Sequence, residues 1–390
     1  MNIPKHILPI IVLSQFFCTS LWFAGNGVMN DLKIHFLLDE NALGHITSIL
    51  QFGFIIGTLI FAILSIADRY APSRVFFVCA LLGALFNIAL IWKGNNYTSI
   101  LIFRFCTGFF LAGIYPVGMK IASDYYEKGL GKSLGFLVGA LVLGTAFPHL
   151  LKELKGNLPW EFVLVTTSSL AVLGGLLMLV LVPNGPFRKA SLNINLLAIP
   201  KIFKKQQFRT AAFGYFGHMW ELYAFWAFVP IILKMYVEVH PETAFNIPLL
   251  SFIIIGIGGF ACVVGGYIAQ KVGVKKVAFI SLLLSCVCCL VSPVIFSFMS
   301  PIVFVSFLLF WGMVVIADSP LFSTLVAQNA PLELKGTALT IVNCIGFFIT
   351  IISILLIDTL RTYINSPTIL MILAIGPILG LLALMKKSKH

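Results

Sequence analysis

Ser65–Val75, SIADRYAPSRV, lies between two apolar runs, and Gly265–Val277, GGYIAQKVGVKKV, lies between two more at a displacement of about 202 residues. Both are short, basic interruptions of a hydrophobic pattern. A second pair of stretches has the same relation. Ala112–Gly135, AGIYPVGMKIASDYYEKGLGKSLG, and Ala317–Thr340, ADSPLFSTLVAQNAPLELKGTALT, carry Pro116 and Pro320, which stand 204 apart. Two agreeing offsets point to a duplicated architecture.

The chain around these stretches is 59% hydrophobic and 10% charged, with a mean hydropathy of +1.03. Soluble domains carry about 25% charged residues, so a soluble globular protein is excluded. A helix rising about 1.5 Å per residue needs roughly 20 apolar residues to cross a hydrocarbon core of about 30 Å. Twelve windows meet that length: 7–29, 43–66, 72–92, 98–121, 130–151, 161–183, 210–233, 246–269, 273–294, 301–326, 334–357 and 366–385. The sequence therefore predicts an all-α membrane protein with twelve transmembrane helices. The first window is too long, and too tightly joined to the second, for a cleaved signal peptide. Met1–His390 is expected to be the mature chain.

Nineteen of the 26 lysines and arginines fall on one side of the membrane when the windows alternate. Lys33, Lys93, Lys152, Lys155, Lys234 and Arg361 fall on the other, and Arg104 lies within a span. By the positive-inside rule both termini are expected in the cytoplasm. The net charge of +12 is accounted for by this topology, without a nucleic-acid partner. All eight cysteines lie in predicted spans and read as small packing residues. The longest polar break, Pro183–Arg209, holds PNGPFRKA and KIFKKQQFR. It divides the chain into an N-terminal six-helix bundle (1–184), a basic linker (185–208) with a short interfacial helix expected at Leu192–Phe203, and a C-terminal six-helix bundle (209–390).

At the repeated stretches the chain resembles the major facilitator superfamily. The family's loop motif, Gly-x-Leu-Ala-Asp-Arg-x-Gly-Arg-Arg/Lys, is matched in part by Ala67-Asp68-Arg69 with Arg74, while Leu64 and Ala71 stand where its glycines would be. The second-half copy matches at Gly266, Ala269, Lys271, Gly273, Lys275 and Lys276, with Gln270 replacing the acid. Arg104-Phe-Cys-Thr-Gly108 looks like the family's fourth-helix Arg-x-x-x-Gly pattern. The resemblance covers nearly the whole chain and implies two six-helix bundles rocking about a central site. It implies a cytoplasmic gate at Asp68, Arg69, Arg74, Gly266 and Lys271, which could equally be charges that set topology. Helix five has Gly135, Gly139 and Gly144 but lacks the Gly-Pro-x-x-Gly-Gly arrangement of drug–proton antiporters.

Charged side chains well inside a span cost at least about 2.5–3.5 kcal/mol on insertion scales, so they normally face a cavity or a partner. Glu221 and Asp318 are the acids so placed. His218 precedes Glu221 by three residues, one turn away on the same helical face. A carboxyl and an imidazole there suit proton uptake and release, or a polar cluster tying helices together. Arg104 suits an anionic group of a substrate, or an ion pair with Glu221 or Asp318. Asp318 precedes Ser319-Pro320, where a functional break in the helix is expected. Gln15, Thr19, Trp22 and Asn26 form a polar stripe on helix one, and Gly336, Thr340, Asn343, Phe347 and Thr350 form one on helix eleven. Such stripes line a cavity or bond between helices. Trp92 and Trp160 read as interfacial belt residues, and His149 as a solvated helix end.

No phosphate-cradling Gly-x-x-x-x-Gly-Lys-Ser/Thr loop is present, which argues against direct drive by ATP, and neither a cofactor, a metal site nor covalent chemistry is indicated. The expectation is a non-enzymatic, monomeric secondary transporter in a bacterial inner membrane. It would move a small anionic or zwitterionic metabolite by alternating access in symport with protons. Trp22, Asn26, Arg104, Tyr115 and Asn343 would bind substrate, and His218, Glu221 and Asp318 would serve the proton. The alternatives are a proton-driven efflux pump for drug or siderophore-like compounds, and a non-transporting receptor or assembly factor on the same fold.

Overall fold

The computed structural model describes residues 4–126, 130–188, 199–364 and 366–386, with the side chains of 130–132 and 332 excepted. Eleven helices among these residues are long and apolar enough to cross a membrane. They are α2 (Ala42–Ile63), α3 (Pro72–Ile91), α4 (Tyr97–Tyr125), α5 (Leu130–Leu154), α6 (Glu161–Leu181), α7 (Gln206–Val239), α8 (Ile247–Val272), α9 (Val274–Phe298), α10 (Pro301–Asn329), α11 (Lys335–Tyr363) and α12 (Pro367–Met385). The first window is different, because α1 comes in pieces: Ile7–Thr19, Ala24–Gly27 and Met29–Phe36. Its single continuous span from 7 to 29 is therefore not observed. Two causes lie in the sequence. Thr19 and Ser20 turn their hydroxyls back onto the carbonyls of Gln15 and Phe17, which loosens a helix end, and Gly25 and Gly27 are poor helix formers.

The chain forms two compact units, Met1–Asn193 and Ile194–His390. In the first, α2 packs on α4, α3 on α6 and α4, and α1 on α5 and α6. In the second, α8 packs on α10, α9 on α12 and α10, and α7 on α11 and α12. Each pairing of the first unit recurs in the second, six helices on, which is the three-dimensional form of the sequence repeat. The repeat reaches single contacts. A Cβ on Gly108 of α4 would strike the carbonyl oxygen of Leu50 in α2, and one on Gly312 of α10 would strike that of Ile254 in α8. Both residues of the contact are displaced by the 204 of the two prolines. Glycine at each position lets two backbones touch, as membrane helices require where little else drives association.

The prolines themselves break helices in both units. In α4 the helix Tyr97–Leu111 gives way to Tyr115–Tyr125, and in α10 the helix Pro301–Ala317 gives way to Ser319–Asn329. Pro116 and Pro320 each sit in the first turn of the second piece, where a missing N–H costs little. The expected break at Asp318 is present. Between α8 and α9 stands Gly273 alone, at φ +98°, a conformation that side chains other than glycine's resist. Within the expected linker, helix Ile199–Lys204 is formed. Residues 189–198, with Lys189 and the first part of the expected interfacial helix, lie outside the described residues, as do Lys128, Lys387 and Lys389. All eight cysteines are unpaired thiols, seven of them buried and Cys106 partly so.

Candidate functional site

Arg104 is fully buried in the first unit. Its guanidinium fills the gap that the break in α1 creates. Nη2 donates to the Trp22 carbonyl at 2.6 Å, and Nη1 to the Leu21 carbonyl at 3.3 Å and Asn87 Oδ1 at 3.4 Å. Asn87 of α3 in turn donates to Ser168 and Thr167 of α6 at 3.0 and 3.2 Å. The carbonyls freed by the unwound turn are thus satisfied by a cation from α4, and a Cβ on Gly25 would come within 3.3 Å of that cation's Nε. Carbonyl dipoles offset only part of the cost of burying a charge. Arg104 Nε has no hydrogen-bond partner, and among the described residues no carboxylate of this unit is within ion-pair range of the arginine.

The helix-one stripe lies close by in the chain and is buried throughout. Asn26 donates to Thr47 Oγ1 of α2 at 2.8 Å, Trp22 packs its ring 4.9 Å from Phe54, and Gln15 is fully enclosed with neither amide atom bonded. Tyr115 opens the second piece of α4 and is half-buried.

Among the described residues of the second unit His218, Glu221 and Asp318 are buried, as is Asp358, which pairs with Arg361 at 2.7 Å. His218 and Glu221 lie one turn apart on α7, yet they face different partners. His218 Nδ1 stands 2.8 Å from Asp318 Oδ1 at the break in α10, and each side chain is 1% exposed. His218 Nε2 and both Asp318 oxygens have no hydrogen-bond partner. Glu221 accepts from Trp311 Nε1 of α10 at 2.6 Å and from Ser285 Oγ of α9. The carboxylate therefore ties three helices, the structural role weighed for it from sequence. Asn343 of α11 accepts from the Tyr215 hydroxyl of α7 at 2.7 Å. Sequence reasoning missed Asn87, Tyr215, Ser285 and Trp311. Asn87 had a signal, an amide within an apolar run, whereas the others look like ordinary membrane-helix residues until their partners are known.

At the loop end of the first unit, Asp68 pairs with Lys120 of α4 at 2.8 Å, and Lys120 also reaches Asp124 at 3.7 Å. Arg188 Nη2 donates to the carbonyls of Asp68 and Tyr70, both at 2.9 Å. Arg69 and Arg74 are exposed. In the second unit Gly266 has open space around its Cα and Lys271 is exposed. His149 corrects the sequence reading: it is 3% exposed, not solvated, and the adjacent Pro148 packs against Gly27 of the broken α1. Trp92 is 63% exposed.

Two repeated six-helix units with ionisable side chains sealed inside each place the chain among polytopic membrane proteins of duplicated architecture. A family model described as Major Facilitator Superfamily matches residues 11–354. The chain belongs to that superfamily, which comprises transporters of small molecules and not enzymes. A curated relative, the niacin transporter NiaP of Acinetobacter baylyi, is 29% identical over 179 residues; the match covers 39% of this chain and 40% of NiaP. The chain thus spans about two fifths of the length of that relative. Among solved structures, the human organic anion transporter MFSD10 is similar with a TM-score of 0.74 at 14% identity, covering 98% of this chain and 100% of that one. The nucleoside transporter NupG has a TM-score of 0.73 at 14% identity, covering 97% and 99%. The proton:xylose symporter XylE has a TM-score of 0.70 at 16% identity, covering 96% and 94%. At these identities the likeness establishes the fold alone.

Proposed function

We propose that the protein is a secondary transporter that moves a small carboxylate-bearing metabolite, anionic or zwitterionic, by alternating access in symport with protons. The observation that carries this reading is the pair of buried ionisable sites, Arg104 in the first unit and His218 with Asp318 in the second. The buried Arg104 of the first unit keeps an unbonded Nε and, among the described residues, has no carboxylate of its own unit within ion-pair range, so a substrate carboxylate would complete it. In the second unit His218 Nδ1 stands 2.8 Å from Asp318 Oδ1, while His218 Nε2 and both Asp318 oxygens have no hydrogen-bond partner, a pair suited to gaining and losing a proton. Trp22, Asn26, Tyr115 and Asn343 would shape the substrate site, and Glu221 would share in proton coupling. Asp68, with its partner Lys120, would act as a gate together with Arg69, Arg74, Gly266 and Lys271. The excess of lysine and arginine at one set of helix ends supports cytoplasmic termini in a bacterial inner membrane. The bundles 1–184 and 209–390 would work as a monomer joined by the linker 185–208. The partial likeness to a niacin transporter makes niacin, an aromatic carboxylate, the first ligand to try.

The test is a thermal-shift screen of the purified chain in detergent against niacin, other carboxylates, amino acids, nucleosides, sugars and lipophilic cations. A ligand at about 100 times its dissociation constant stabilises by about 2.7 kcal/mol. A carboxylate is expected to shift the wild type and Glu221→Gln but not Arg104→Gln. A shift by lipophilic cations alone, dependent on Glu221, would replace uptake with the efflux reading. Binding without counterflow in proteoliposomes would replace transport with a receptor role.

A further inference from the structure

One end of the second unit contains a cavity of about 290 Å³, separate from the buried groups described above. Four helices converge on it: the starts of α7 and α9 and the ends of α10 and α12. Its polar lining is Gln206, Gln207, Thr210, Lys275, Asn329 and Lys386, with no acidic side chain among the residues that form it. Among the described residues neither Lys275 nor Lys386 has a carboxylate within ion-pair range. The first turns of α7 and α9 contain no acid, and neither helix has a side-chain cap. The positive ends of two long helices therefore add to two ammonium groups without compensation. Amides, a hydroxyl and ammonium groups arriving from four helices form a donor-rich enclosure, and Leu325 and Leu384 close its apolar side.

We propose that this cavity binds a phosphate group. A phosphate offers several charged acceptor oxygens in a tetrahedral array, so it can answer donors that converge from different helices. The position supports the same class. The cavity lies where four membrane helices begin or end, the depth at which a bilayer presents its phosphodiesters to basic side chains. The occupant is a lipid headgroup or a soluble phosphate, and the experiment separates the two.

The full chain is reconstituted in nanodiscs of phosphatidylcholine, with or without phosphatidylglycerol, and its unfolding midpoint is measured. Inorganic phosphate is titrated separately into the phosphatidylcholine discs at constant ionic strength against chloride. Phosphatidylglycerol or phosphate is expected to raise the midpoint of the wild type. The double variant Lys275→Gln/Lys386→Gln should lose at least half of that rise, and Lys201→Gln/Lys204→Gln, on the neighbouring basic helix, should keep it. A rise with inorganic phosphate assigns a soluble ligand, and a rise with phosphatidylglycerol alone assigns a lipid headgroup. Should the double variant fail to fold, the single variants Lys275→Gln and Lys386→Gln carry the same comparison, each losing part of the rise. The proposal is overturned if neither addition raises the midpoint, if removing Lys275 and Lys386 leaves the rise intact, or if the Lys201 and Lys204 variant loses as much.

Discussion

His218 Nδ1 and Asp318 Oδ1 stand 2.8 Å apart with both side chains 1% exposed, so an imidazole and a carboxyl form a close pair that bulk water does not reach. Such a pair can pass a proton between its members without changing its net charge. Gaining or losing a proton to the outside changes that charge in a medium where charge is costly. Asp318→Asn keeps the shape and a hydrogen-bonding group but removes the titrating site. It is expected to abolish stimulation of uptake by an imposed pH gradient while leaving substrate exchange at equilibrium. Proteoliposome uptake with and without the gradient checks this, and gradient-driven uptake equal to the wild type would remove Asp318 from the coupling machinery.

The same contact has a stability signature. His218→Ala leaves the buried Asp318 carboxyl without the imidazole that stands 2.8 Å away, which costs about 1–3 kcal/mol. Removing both partners with His218→Ala/Asp318→Leu should recover part of that loss, because no polar group is then stranded. Unfolding midpoints of the two singles and the double give the coupling directly, and strict additivity would mean that the contact contributes nothing.

Much of the architecture was legible in the sequence because apolar length and the 204-residue offset of Pro116 and Pro320 are one-dimensional signals. The partners of the buried groups were not. Helical spacing put His218 with Glu221, three residues apart, since periodicity reports only neighbours on one helix. The bonds run between helices instead. Glu221 finds Ser285 and Trp311, 64 and 90 residues away. The break in α1 was hidden for the same reason, because the donor that satisfies its open carbonyls comes from Arg104, 82 and 83 residues on. His149 looked like a helix end and is buried, beside a contact of Pro148 with α1 that no local pattern encodes.

Arg104 separates charge from geometry. Lysine at this position would keep the cation but cannot present a planar fork to the carbonyls of Leu21 and Trp22 and to Asn87 at once. Arg104→Lys is therefore expected to lower uptake at least tenfold and to reduce stability by about 1–3 kcal/mol through the stranded acceptors. Uptake kinetics and thermal unfolding on the same preparation check both, and wild-type behaviour of the lysine variant would mean that charge alone suffices.

The glycines give a test in which the sign of the effect is decided by space. On Gly108 and Gly312 a methyl group would meet the carbonyl oxygens of Leu50 and Ile254, and backbone cannot swing aside as a side chain can. Gly108→Ala and Gly312→Ala should each destabilise by about 1–3 kcal/mol, the range for overpacked sites. Gly266 lies within α8, and a Cβ there would find nothing within 4 Å. Gly266→Ala should stabilise the helix by about 0.5–1 kcal/mol, the difference in helix propensity. Midpoints of thermal unfolding in one detergent rank the three variants. If Gly108→Ala and Gly312→Ala behaved like Gly266→Ala, the two matching backbone contacts would not be what holds α2 to α4 and α8 to α10.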